Sequence, residues 1–151
     1  MIMKFNIMRL IDILNVLDKF TNADKELAYA ISKTKLNIIN EISEYYEHIN
    51  DLAKTYGEKS ENGNYIVSKE SDQFNEYITK VSEILSTDVE IDVYQIPRDV
   101  FVNSNYFNPD CLEAEYDILF MLFSEKPNTS EKDIEKNTNI ENLISEESIA
   151  E

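Results

Sequence analysis

The sequence predicts a mainly α fold: a long antiparallel helical hairpin, packed with an N-terminal and a C-terminal helix and accompanied by a short strand or β-hairpin. Three observations predict it. Between Asp24 and Tyr56 there is neither Gly nor Pro, and apolar residues recur at three- and four-residue steps. Both glycines of the chain, Gly57 and Gly63, fall in the stretch YGEKSENGNYIVSKE that follows. A second heptad-spaced run, FNEYITKVSEIL, comes directly after it. At 151 residues the chain is one domain, long enough to bury about two-thirds of its unfolded surface.

The first helix is expected over 7–20. Asn6 caps it, and Ile7, Leu10, Ile11, Leu14, Leu17 and Phe20 form its apolar stripe. Thr21, Asn22 and Asp24 supply turn and cap chemistry for a second helix over 24–56. Its seam is Ala28, Ile31, Lys35, Ile38, Ile42, Tyr45, Ile49, Leu52 and Tyr56, widened on one flank by Ile39, Tyr46 and Ala53. Helix throughout makes a rod about 50 Å long. Gly57 is placed to end it in the left-handed conformation. Asn62-Gly63 suits a tight turn, with strand-forming Tyr65, Ile66 and Val67 after it. A third helix, 71–86, places Phe74, Ile78, Val81 and Leu85 on one face. In 88–95, Val89, Ile91 and Val93 alternate with Glu90, Asp92 and Tyr94, the pattern of a half-buried strand closed by Pro97. An irregular link through Phe101 and Tyr106 then leads to Asn108-Pro109, which opens a last helix over 109–123.

Charge is the strongest compositional fact. The formal net charge is −16. Residues 125–151 hold eight acids and three lysines and read as a disordered acidic tail, leaving −11 on the helical domain 1–124. Such a balance argues against direct binding to nucleic acid or to an anionic membrane and favours a basic partner, or simply solubility. ILFMLF at 118–123 is too short to span a bilayer, and the apolar N-terminus, broken by Arg9 and Asp12, reads as an amphipathic helix. One cysteine, Cys111, points to a reducing compartment.

Chemistry-bearing motifs are sparse. His48 is the only histidine, with Glu44 one turn away and Asp51 close by, the minimum of a metal site. Two Glu-x-x-His pairs of the ferritin type cannot be built from one histidine, so His48 is expected at the surface and no metal or cofactor is called for. Cys111 is expected in the first turn of the last helix. The helix dipole there favours the thiolate, and Asp110 and Glu113 oppose it. No phosphate-binding glycine loop, nucleophile elbow or zinc spacing occurs, and the expectation is a protein without enzymatic activity.

What remains is a surface. Glu41, Glu44, Glu47 and Asp51 on the long helix, with Asp72, Glu76 and Glu83 on its partner, form the candidate acidic face. Duplex DNA carries about one charge per 1.7 Å of axis, and the four acids of the long helix supply about one per 4 Å at helical rise. Tyr56 and Tyr65 at the tip are candidate contact anchors.

In order, the N-terminal helix, YGEKSENGNYIV, FNEYITKVSEIL, VEIDVYQI and NPDCLEAEYDILFMLF make the chain similar to a family of small phage and prophage proteins catalogued only as a domain of unknown function. The likeness covers residues 3–123. It implies a phage setting and carries over no catalytic residues; the expected place of action is the host cytoplasm. The resulting expectation is a phage-encoded binding protein that docks on and inhibits a basic host protein, with nucleic-acid-binding or defence proteins as the leading class. The alternative is an assembly chaperone or structural coiled-coil protein that acts through its apolar seam and tip, as a homodimer if the seam is shared between copies.

Overall fold

The computed structural model describes residues 1–126. Of these, 57% are helical and 13% are in strands. The elements are β1 (Ile2–Asn6), α1 (Ile7–Leu17), α2 (Lys25–Tyr56), β2 (Glu58–Lys59), β3 (Tyr65–Ile66), α3 (Phe74–Leu85), β4 (Asp88–Asp92), α4 (Arg98–Asn103) and α5 (Glu113–Phe123). The acidic tail expected over 125–151 lies outside the described residues from 127 onward. Residue 125 is held by its backbone: the Glu125 N–H donates to the Ile96 carbonyl at 2.9 Å.

The expected strand has a partner that periodicity did not reveal. β4 pairs antiparallel with β1, from Ile2 opposite Asp92 to Asn6 opposite Asp88. The inward side carries the Met3/Ile91 and Phe5/Val89 pairs, and Lys4, Glu90 and Asp92 face outward. Ile2–Asn6 is therefore a strand, ahead of the helix expected from residue 7, which begins at Ile7. A lone strand leaves a row of unpaired amides, and β1 is the segment placed to satisfy it. Asn6 ends the strand and caps α1, its Oδ1 accepting from the Arg9 N–H at 2.7 Å.

The core is one cluster. Ile7, Leu10, Ile13 and Leu17 of α1 meet Leu27, Ala30, Ile31, Ile38 and Ile42 of α2, with Val89, Ile91, Val93 and Ile96 beneath them and Phe101, Leu119, Leu122 and Phe123 closing the far end. In the core-facing half of α2, Ile31, Ile38 and Ile42 are buried as the seam requires, but Leu27, Ala30 and Thr34 are buried in place of the expected Ala28 and Lys35. Two side chains explain the choice. Buried Thr34 accepts from the Tyr94 N–H at 3.1 Å, and Asn37 Nδ2 donates to the Asp92 carbonyl at 2.9 Å, so α2 is turned by its bonds to the strand backbone.

Beyond Ile42 the burial stops. From Ser43 to Asp88 no residue is buried. The distal half of α2, the β2–β3 tip and α3 form an arm in which the helices shield each other incompletely, and α3 has no buried residue at all. Tyr56 at the end of α2 packs on Tyr77 of α3 with ring centroids 6.1 Å apart.

Gly57 does not adopt the left-handed conformation expected of it. Its φ is −110° and its ψ 175°, ordinary extended backbone. The residue is required for another reason: a Cβ there would lie 2.6 Å from the Ala53 carbonyl oxygen and 2.8 Å from that of Ile66. Only glycine lets the β3 backbone cross so close to the helix end. Gly63, at φ 87°, supplies the left-handed turn residue, with open space around it.

Two further boundaries shift. The link expected to be irregular contains α4, one and a half turns anchored by buried Phe101. Asn108-Pro109 opens a turn and not the helix, because Tyr116 Oη holds Asn108 at both ends, accepting from its N–H at 2.9 Å and donating to its carbonyl at 2.6 Å. α5 accordingly starts at Glu113, and α1 ends at Leu17, short of the expected Phe20.

The two glycines separate on substitution. Gly63→Ala is expected to lower stability by about 1 kcal/mol through backbone strain alone. Gly57→Ala is expected to cost more, about 2–3 kcal/mol, by forcing backbone apart. Urea unfolding of both variants tests this, and equal effects would remove the close-approach explanation.

Candidate interaction surface

The seven acidic residues singled out in the sequence are all exposed. On α2, Glu44, Glu47 and Asp51 line a shallow open depression of about 320 Å³ together with Tyr45 and His48. Successive α-helical residues turn by about 100°, which sets Glu41, Glu44, Glu47 and Asp51 on one side of the helix, away from the seam. His48 lies in the open on this side. Among the described residues no three His, Cys, Asp or Glu side chains converge as a metal-binding group would require.

The acids of the second helix behave differently from one another. Asp72 precedes α3, and Glu83 is exposed near its end. Glu76 is engaged: its Oε1 accepts from the Tyr56 hydroxyl at 3.0 Å and lies 3.5 Å from Lys80 Nζ. Lys80 in turn donates to Tyr56 Oη at 2.9 Å, with the ammonium 5.3 Å from the ring centroid. The Tyr56 hydroxyl first, and Glu76 after it, hold the Lys80 ammonium above its ordinary pKa. Tyr56 is thus committed inside the arm, tying the end of α2 to the start of α3. Tyr65 is 38% exposed on β3 and free to touch a partner. A groove of about 520 Å³ opens beside the tip between Tyr56, Glu58, Lys59, Ile66 and Ser71.

A second titratable cluster was not singled out by spacing. Glu115, only 7% exposed, is the one buried carboxylate among the described residues. Its Oε2 lies 2.7 Å from Lys19 Nζ, and its Oε1 accepts from the Leu112 N–H at 3.1 Å. The Lys19 ammonium, then the Leu112 amide, hold the Glu115 carboxyl below the usual carboxylate range, against the opposing effect of burial. Burial and then the Glu115 charge push the neighbouring Cys111 thiol up, away from the thiolate. Asn108 Nδ2 donates to the Lys19 carbonyl at 2.7 Å, completing a clasp between the end of α1 and the approach to α5. The signal in the sequence was a Glu three residues after the helix N-cap, Leu112. Its lysine lies 96 positions away, and no spacing rule links the two.

No helix among the described residues is long and apolar enough to cross a membrane. No protein-family model matches the chain, and neither a curated protein nor a solved structure matches it.

The sign of the Glu115 shift sets a pH dependence. A carboxyl whose pKa is depressed on folding contributes stability above the unfolded value, about 4.3, and loses it as pH falls through the lower folded value. Glu115→Gln is expected to lower the unfolding midpoint at neutral pH and to flatten the acid limb of the stability profile. Thermal unfolding across that range reads both, and an unchanged acid limb would remove the clasp from the explanation.

Proposed function

We propose that this is a non-enzymatic, phage-encoded acidic binding protein that docks on a basic host protein in the host cytoplasm and blocks its working surface. The observation that carries the reading is the arm. Between Ser43 and Asp88 the chain has no buried residue, yet it carries ten carboxylates against four lysines. A segment that buries no residue fully, and meets the core only through partly buried Tyr45 and Leu85, is costly to load with charge unless the charge meets something. α3 returning along the distal half of α2 makes an antiparallel helical pair stiff enough to present Glu41, Glu44, Glu47 and Asp51 in a row. Such a row fits a cationic groove built for a nucleic-acid backbone, which makes nucleic-acid-binding or defence proteins the favoured class. The phage setting rests on the similarity of the ordered motifs.

A second reading is an assembly chaperone or structural protein of the phage. It is favoured by the seam residues Ile49 and Leu52 and the flanking Ala53, which the arm covers only in part.

Affinity capture from infected host cells at low and at molar salt tests the first reading. The expected result is a basic protein retained at low salt and released at high salt. The triple variant Glu44→Lys/Glu47→Lys/Asp51→Lys, all at exposed positions, is expected to weaken its binding by about tenfold or more, chiefly in association rate. Partners that survive molar salt, or that bind the charge-reversed arm equally well, would overturn it.

A further inference from the structure

α2 carries a second stripe beside the one it turns toward the core. Ser32, Leu36, Ile39, Ser43, Tyr46, Asn50 and Ala53 follow alternating four- and three-residue steps without a slip, and none is charged. The first six are exposed, Leu36 at 55%, Ile39 at 48% and Tyr46 at 40%. At about 100° per residue the stripe lies roughly 110° from the inner seam, and the acidic row lies as far again on the other side. α2 is thus three-sided: one side for its own fold, one acidic, one uncharged and open.

We infer that the uncharged side is the contact for a second copy of this chain, pairing α2 with α2 in antiparallel register about a two-fold axis at Ser43. The stripe is symmetric about that residue. Reversed on itself it sets Ile39 against Tyr46, Leu36 against Asn50 and Ser32 against Ala53, with the small Ser43 meeting its own counterpart where the helices cross. An isologous contact needs this self-complementarity, and heptad spacing is what lets two helices keep it along their length.

Charge decides between occupants. A basic partner has no carboxylate to meet within the stripe, whereas a second copy packs there with both acidic rows turned outward. The contact runs about 32 Å along the helix. An interface of about 1,000 Å² is at the low end of the specific range, so the dimer is weak and concentration-dependent. This pairing does not rest on the proposed basic partner, and its salt dependence has the opposite sign. Two chains of net charge −16 repel, so screening strengthens the dimer while it weakens an electrostatic complex.

Sedimentation velocity of the full chain, over a concentration series at low and at molar salt, is the primary test. The expected result is a monomer–dimer equilibrium that tightens with salt. Ile39→Glu/Tyr46→Glu is expected to weaken it by about a hundredfold, through like charges set opposite one another. Ser43→Glu, an exposed polar position that cannot disturb the core, is expected to weaken it by about tenfold. In a Cys111→Ser background, Ser43→Cys is expected to form an intermolecular disulfide on oxidation. Ile39→Cys alone is not, but it couples to Tyr46→Cys on mixing. A monomer at all concentrations in molar salt, a dimer indifferent to the three substitutions, or self-coupling of Ile39→Cys as readily as Ser43→Cys would each overturn the proposal. Loss of the basic partner with the dimer intact would count against the proposed function alone.

Discussion

The structure depends on α2 being one unbroken helix in two environments. Its first half is fixed by Thr34 and Asn37, which bond the backbone around β4 and turn Leu27, Ala30, Ile31, Ile38 and Ile42 into the core. A helix transmits that orientation rigidly, so the direction of every side chain from Ser43 to Tyr56 is set by contacts made about two to six turns earlier. The body runs out before the helix does. Among the described residues the distal half beyond Tyr45 meets only α3 and, at its last turn, β3, and neither helix buries a whole side chain there.

That arrangement explains the polar chemistry of the arm. Where apolar burial is incomplete, the Tyr56–Glu76–Lys80 cluster and the Tyr56–Tyr77 contact join the two helices near the tip. Gly57 allows β3 to lie against the last turn of α2, and Gly63 reverses the chain. At the opposite end of the molecule the same need is met by the Lys19–Glu115 clasp, where a buried carboxylate is tolerated because it is paired and hydrogen-bonded. Charge therefore has a structural role at both ends, whereas along the open side of α2 no ion pair engages Glu41, Glu44, Glu47 or Asp51 among the described residues.

Much of the secondary structure was legible. Asn6 as a cap, α2 to within a residue of its ends, a turn at Asn62-Gly63 and the strand beginning at Asp88 all follow from local rules: a side-chain acceptor for free amides, a step of three or four, a residue that tolerates positive φ. The exposed acids were legible for the same reason, since their spacing kept them off the apolar stripe. α4 was not, because six residues with one buried Phe do not complete a readable period. The start of α5 was not, because a good cap pair at Asn108-Pro109 was overridden by the Tyr116 hydroxyl eight residues on. The side of α2 that faces the core was legible in part: Ile31, Ile38 and Ile42 are buried as the seam requires, but Leu27, Ala30 and Thr34 take the places expected for Ala28 and Lys35.

By itself the sequence determined the helical segments, the place of the chain reversal, the excess of carboxylates and their distribution off the apolar seam. These are properties of neighbours, and short-range sterics and hydrogen bonding are enough to specify them. The tertiary structure decided that the first residues form a strand and which strand they meet, across some 85 intervening positions. It decided that Gly57 is needed for close approach and not for its φ, that Glu115 is buried against Lys19, and where along α2 the core ends and the arm begins. Each of those depends on which distant surface arrives to cover a group, and in a single chain no local pattern carries that information.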